Sequence, residues 1–224
     1  MSEQNEAMKT IMAYFQREKD KKLNAFRQRN QHIRPGQLLF TGSSLMEQFP
    51  VSEYCATAGV PLVAYNRGIG GYTTDEFLQG IDAMLIDVKP SKVFINIGTN
   101  DIRTLDNGED WLEHLVRNYR RILEIAREKL PETEIVMLAY YPVNRNHPAM
   151  HQNPGFSIRT NENVDKANAA VAKLAAEFGC PFIDVSAGIR DAEGNLKLER
   201  TVDGVHMDPE AYWSVFEALR PYLG

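Results

Sequence analysis

Leu38-Leu39-Phe40-Thr41-Gly42-Ser43-Ser44-Leu45-Met46 is the stretch on which the reading of this chain turns. An apolar run stops at a glycine, two hydroxyls follow, and an amphipathic stretch begins. The pattern predicts a buried parallel strand, a tight turn and a helix start. Ligands in open α/β sheets lie just outside the carboxyl ends of strands. A serine there stands at a helix N-terminus, where outward N–H groups and a partial positive field favour an oxyanion beside the hydroxyl. The plain alternative is that Ser43 or Ser44 only caps the helix, since serine is a preferred N-cap.

Downstream, apolar runs alternate with helical patterns. Leu62-Val63-Ala64-Tyr65 reads as a second strand and runs into Asn66-Arg67-Gly68-Ile69-Gly70-Gly71-Tyr72-Thr73-Thr74. Three glycines in four residues mean unusual backbone angles or a close approach. Thr73 and Glu76 have capping-box spacing, which starts a helix carrying Phe77, Leu78, Ile81, Met84 and Leu85. Val93-Phe94-Ile95-Asn96-Ile97 is nearly all apolar and therefore central. It ends in Gly98-Thr99-Asn100-Asp101, a polar group again at the ligand edge, with a cap or Asx-turn as the alternative. A helix from about 109 to 130, a strand at 135–138, a helix at 161–178 and a strand at 182–185 follow. Five strands alternating with helices predict one α/β domain over 1–224, a parallel sheet covered on both faces.

Three other stretches frame this core. Residues 5–30 are highly charged, with Met8, Ile11, Met12 and Phe15 at helical spacing and Leu23 and Phe26 less regular. They read as an amphipathic helix packed on its own domain, with a homodimer contact as the alternative. Residues 141–160 form the one long irregular stretch, with Pro142, Pro148 and Pro154, and with His147 and His151, whose spacing is interrupted by proline. Such loops often shape a functional rim. Near the end, Asp203-Gly204-Val205-His206 puts a carboxylate close to a histidine in a glycine-containing loop, and a last helix begins near Pro209.

Composition narrows the function. Of 224 residues, 43% are hydrophobic and 25% charged, and the formal net charge is −5, so nucleic acid and anionic membrane surfaces are poor partners. Cys55 and Cys180 match no metal spacing and read as buried thiols of a reducing compartment. The first residues lack the basic and apolar regions of a secretory signal, and no run approaches the roughly 20 apolar residues that span a bilayer. The expected location is the cytoplasm. The glycine-rich turn fails the dinucleotide pattern because Thr73 stands where its third glycine would be, and no phosphate-binding P-loop pattern occurs.

Ser44, the Gly70-Gly71 turn, Asn100, and Asp203 with His206 make the set that acyl transfer needs. A hydroxyl is weakly nucleophilic until a base takes its proton. An imidazole does so near neutral pH, a carboxylate orients it, and preorganised donors receive the oxyanion.

At these residues the chain resembles the SGNH, or GDSL-type, serine hydrolases. Gly42-Ser43-Ser44-Leu45 matches the first family block, with Ser43 where aspartate is usual. Asn66 to Thr73 matches the second, Gly98-Thr99-Asn100-Asp101 the third, and Asp203 with His206 the last. The wording is most similar to the platelet-activating-factor acetylhydrolase and lysophospholipase-like branch, and some carbohydrate acetylesterases read similarly. The resemblance implies a flavodoxin-like three-layer α/β/α fold with a five-stranded parallel sheet. It implies hydrolysis of a small, acetyl or short-chain ester, on an acetylated sugar or a phospholipid-like molecule. It assigns Ser44, Asp203 and His206 as the triad, and the Ser44 N–H, the Gly71 N–H (or that of adjacent Gly70) and the Asn100 amide as the oxyanion hole. Tyr72, Ile102 and Tyr141 are expected in the acyl pocket from their proximity to the blocks. The chemistry requires neither metal nor organic cofactor. The alternatives are a lysophospholipase or thioesterase for longer chains, a binding module that kept the fold, and a scaffolding role for the N-terminal helix.

Overall fold

The computed structural model describes residues 3–224. In chain order its main elements are α1 (Glu3–Asn30), β1 (Leu38–Gly42), α2 (Ser44–Glu47), α3 (Val51–Thr57), β2 (Ala64–Gly68), α4 (Thr74–Met84), β3 (Lys92–Asn96), α5 (Trp111–Lys129), β4 (Glu134–Leu138), α6 (Ala149–Gln152), α7 (Asn161–Glu177), β5 (Phe182–Ile183) and α8 (Pro209–Leu219). The strands form one parallel sheet in the order β2-β1-β3-β4-β5. The chain therefore steps from β1 outward to β2, then crosses back to β3 on the other side. That reversal opens a crevice between the carboxyl ends of β1 and β3, the usual ligand position in such sheets.

Alternation along the central strands makes the three layers. Leu39, Val93, Ile95, Ile135 and Met137 face a core shared with α4, α5 and α7. Leu38, Phe40, Phe94, Val136 and Leu138 face a second core shared with α2, α3 and α8. Phe40 is fully buried, stacked on Phe94 at 4.8 Å and edge-on to Phe49 at 5.6 Å. Truncating such a ring to alanine costs about 3–5 kcal/mol. Cys55 lies in one core and Cys180 in the other, both as free thiols.

Gly42 ends β1 for a steric reason. Its φ is +150°, and a Cβ there would meet the Asn96 carbonyl oxygen at 1.9 Å. Only glycine lets β1 and β3 stay paired up to the point where the chain turns into α2.

Three expectations shift. The second strand begins at Ala64, not at Leu62, and runs through Asn66 and Arg67. Leu62 and Val63 are 38% and 44% exposed. β2 is an edge strand, so its polar residues find partners off the sheet. Asn66 Nδ2 donates to the Met46 and Phe49 carbonyls, and Arg67 Nε donates to Asn30 Oδ1 at 3.0 Å. The last strand is only Phe182–Ile183, because pairing with β4 stops at Leu138↔Ile183.

The third shift is in α1. Its carboxyl-terminal half packs as expected: Phe26 is buried, Arg67 lies over its ring at 5.0 Å, and Asn30 Nδ2 donates to the Ala83 carbonyl. The regularly spaced apolar residues do not pack. Ile11, Met12 and Phe15 are 50%, 65% and 59% exposed. The side chain of Met8 lies outside the described residues. A helix of 28 residues is about 42 Å long, and its first half runs past the elements that cover the second.

Candidate active site

Each of the sequence blocks ends at the crevice. Ser44 is the first residue of α2, immediately beyond β1. Its Oγ lies 2.8 Å from His206 Nε2, and His206 Nδ1 lies 2.6 Å from Asp203 Oδ2. The capping alternative is not what the serines do: Ser43 occupies the N-cap position without a side-chain cap bond, and the Ser44 hydroxyl faces the imidazole.

The loop bearing Asp203 and His206 is held by its own turn. Thr201 Oγ1 donates to the His206 carbonyl and accepts from the Gly204 N–H, and Asn144 N–H donates to the Gly204 carbonyl. Asp203 Oδ1 accepts the backbone N–H groups of Val205 and His206. Burial alone would raise the Asp203 pKa. The bonds from the His206 ring, the two backbone donors and the imidazole charge outweigh it and hold Asp203 down to about 2. An ionised carboxylate on Nδ1 fixes the tautomer that leaves Nε2 free to accept a proton from Ser44.

Donors for an oxyanion stand beside the hydroxyl. Glu47, one turn along α2 from Ser44, accepts the Gly70 N–H at 2.6 Å. Among the described residues, no hydrogen bond uses the N–H of Ser44 or of Gly71. Gly71, with φ +75°, also has its carbonyl held by Lys19 Nζ of α1 at 3.0 Å. Asn100 Nδ2 gives one proton to the Tyr72 carbonyl at 2.9 Å, and its Oδ1 accepts from Arg159 Nη2 at 3.1 Å. The Arg159 bond defines which end of the amide is the donor. Of the two glycine donors left open by the sequence, the geometry therefore favours Gly71.

Ser44, Gly71, Asn100 and His206 line one open cavity of about 680 Å³, together with Met12 and Phe15 of α1, Arg103, Phe156 and Arg159. Tyr72, Ile102 and Tyr141 do not line it. They are 3%, 0% and 2% exposed and belong to the cores beneath. Adjacency in sequence put them near the blocks, but each side chain is buried in a core. The contributions missed in the sequence were Glu47, Arg159 and the α1 residues. Glu47 was detectable by its helical spacing from Ser44. Arg159 carried no local signal beyond being a charge in the long loop.

His147 falls just before α6 and His151 on it, and the His147 ring accepts the Ala149 N–H. Asp75, Asp101 and His114 bring ligand atoms within 4.8 Å of one another, but both His114 ring nitrogens already face carboxylates. That cluster reads as an ion-paired tie between α4 and α5.

Comparison with known proteins identifies the family. A model of the GDSL-like lipase/acylhydrolase family matches residues 42–213. The chain belongs to that family. It is accordingly a carboxylic ester hydrolase. It is 26% identical over 189 residues to the platelet-activating factor acetylhydrolase IB subunit alpha1 of Bos taurus, and equally to that of Homo sapiens. The match covers 84% of this chain and 75% of theirs. Among solved structures, one from Streptococcus pneumonia, provisionally described as a platelet activating factor, superposes with a TM-score of 0.87 at 29% identity. It covers 98% of this chain and 99% of that one. An acetylxylan esterase, Axe2 of Geobacillus stearothermophilus, shares the fold at a TM-score of 0.65 and 18% identity, covering 86% and 96%.

Proposed function

We propose that this acylhydrolase cleaves a small O-acyl ester, acetyl or short-chain, through a Ser44–His206–Asp203 triad and an acyl-enzyme intermediate. The observation that carries the reading is His206, set between the Ser44 hydroxyl at 2.8 Å and the Asp203 carboxylate at 2.6 Å. Ser44 Oγ attacks the ester carbonyl carbon as His206 Nε2 takes its proton. The carbonyl oxygen becomes an oxyanion received by the N–H groups of Ser44 and Gly71 and the Asn100 amide. The C–O bond to the alcohol breaks, and His206 gives the departing oxygen its proton. Water then attacks the acyl-enzyme with His206 again as base, and the acid leaves as Ser44 is restored. No step draws on a cofactor.

The relatives named as platelet-activating-factor acetylhydrolases, and the fold shared with an acetylxylan esterase, support acetyl as the acyl group and a phospholipid-like or sugar alcohol. Longer acyl chains are the second reading, favoured by the exposed Met12 and Phe15 at the cavity's edge. Turnover of 4-nitrophenyl acetate, butyrate, octanoate and palmitate, with Ser44→Ala as the blank, separates the two. A rate highest on acetate supports the first, and one rising toward octanoate supports the second.

Residues 1–224 are read as one domain, in the cytoplasm, where Cys55 and Cys180 would stay reduced. Among the described residues, no helix is long and apolar enough to cross a membrane. A homodimer through the exposed Ile11, Met12 and Phe15 remains part of the reading. Sedimentation of the chain with those three changed to serine tests it.

A further inference from the structure

The charge of the cavity runs against that of the chain. Formal net charge is −5, yet four basic side chains line the cavity, Lys19, Lys22, Arg103 and Arg159, against one carboxylate, Glu18. Two of the four are neutralised on the spot: Lys19 pairs with Glu76 and Lys22 with Glu47, each at 2.6 Å. Among the described residues, the two arginines have no carboxylate within ion-pairing distance.

Arg159 is the unusual one, at 4% exposed. Its guanidinium lies 4.7 Å over the Phe156 ring and makes one hydrogen bond, to the neutral Asn100 amide. Among the described residues its Nε has no partner. Burial draws its pKa down to about 10, against the more distant charges of Asp101 and Asp203, so it is a cation at neutral pH. A desolvated cation with so few acceptors is costly to keep. It is also held in place, because Arg145 Nη1 donates to the carbonyls of Phe156 and of Arg159 itself. A planar fork of donors, fixed at the wall of a reaction cavity, matches a carboxylate or phosphate.

We propose that Arg159 and Arg103 form an anion subsite, so that the ester this acylhydrolase cleaves carries a carboxylate or phosphate of its own. The proposal rests on Ser44 being the esterase nucleophile of the same cavity. The missing counter-charge of Arg159 arrives with the substrate. Arg103, exposed at the rim, supplies the outer charge that draws the anion in.

Matched ester pairs test this on the full chain. On the alcohol side, 4-acetoxybenzoate is compared with its methyl ester, and 4-acetoxyphenyl phosphate adds a phosphate arm. On the acyl side, 4-nitrophenyl hydrogen glutarate is compared with 4-nitrophenyl valerate. Rates are corrected with Ser44→Ala. The expected result is a kcat/KM favouring the anionic member of at least one pair by about 10- to 100-fold, the worth of a hydrogen bond to a charged group. The preference should shrink as salt is raised. Arg103→Glu should lower the anionic-to-neutral ratio, Arg159→Met should bring it near one, and Arg159→Lys should restore part of it. A preference confined to the phosphate arm supports the subsite and names its ligand as phosphate. Ratios at or below one for every pair, or ratios untouched by both arginine changes, overturn the subsite while Ser44-dependent turnover of the neutral esters keeps the esterase reading. No Ser44-dependent turnover of any ester overturns the esterase reading and the subsite with it.

Discussion

Among the described residues two histidines sit against carboxylates, and only one of them also faces a hydroxyl. His206 has Asp203 on Nδ1 and the Ser44 hydroxyl on Nε2. His114 has Glu109 on Nδ1 at 3.0 Å and Asp75 on Nε2 at 2.8 Å. Burial would lower the His114 pKa, but the bonds and charges of the two acids outweigh it and raise it, so the pair of carboxylates favours the charged form. What the second nitrogen faces separates a catalytic arrangement from an ion-paired one. Aspartates beside the two rings also differ. Asp203 collects three N–H donors and stays ionised, whereas burial pushes the neighbour of the second cluster, Asp101, up to about 6 despite two bonds from Thr74.

The largest expected effects break the comparison at its reacting end. Ser44→Ala or His206→Ala should each lower kcat on 4-nitrophenyl acetate by about 10⁴- to 10⁶-fold with the circular-dichroism spectrum still that of the folded chain. His114→Gln should leave that kcat within about threefold. An equal loss for His114→Gln would erase the distinction drawn here. Asp203→Asn should cost about 10⁴-fold by presenting the wrong tautomer. Next comes Asn100→Ala, expected to cost about 10²- to 10³-fold in kcat, as for one oxyanion donor.

The smaller effects are in stability. Asp203 has a lowered folded pKa, so its contribution is present above about pH 4 and lost as pH falls toward 2. His114 has a raised one, so its contribution is present below about pH 6.5 and lost as pH rises through the folded value. Denaturant melts across pH should show the acid loss weakened in Asp203→Asn and the alkaline loss weakened in His114→Gln. Asp101 is raised, so its neutral form stabilises the fold below about pH 4, and that contribution is lost between about 4 and 6. Asp101→Asn should flatten that interval. Thr73→Ala, which removes the cap observed on α4, should cost about 1 kcal/mol at any pH.

Much of the fold was legible in the chain because its central strands are apolar runs ended by glycine or polar residues. β1, β3 and β4 sit where those runs are. β2 was less legible, since an edge strand tolerates Asn66 and Arg67 once α1 and α2 supply partners. The pocket expectations for Tyr72, Ile102 and Tyr141 failed because position next to a motif says nothing of which way a side chain points.

The sequence by itself determined the candidate groups and their order along the chain. It put a hydroxyl, a glycine turn and an amide after the first three strands and an Asp-x-x-His loop before the last helix, since those spacings are local and local geometry follows from residue type. Only the tertiary structure decided which partners they meet. Ser44 and His206 are 162 residues apart, and they touch because the parallel strands and the layers on them bring the end of β1 beside the loop before α8. Glu47 ties up Gly70 and leaves Gly71, and Arg159 reaches Asn100 across 59 residues. Such contacts between distant residues are fixed by how the layers pack, which no short stretch of the chain encodes.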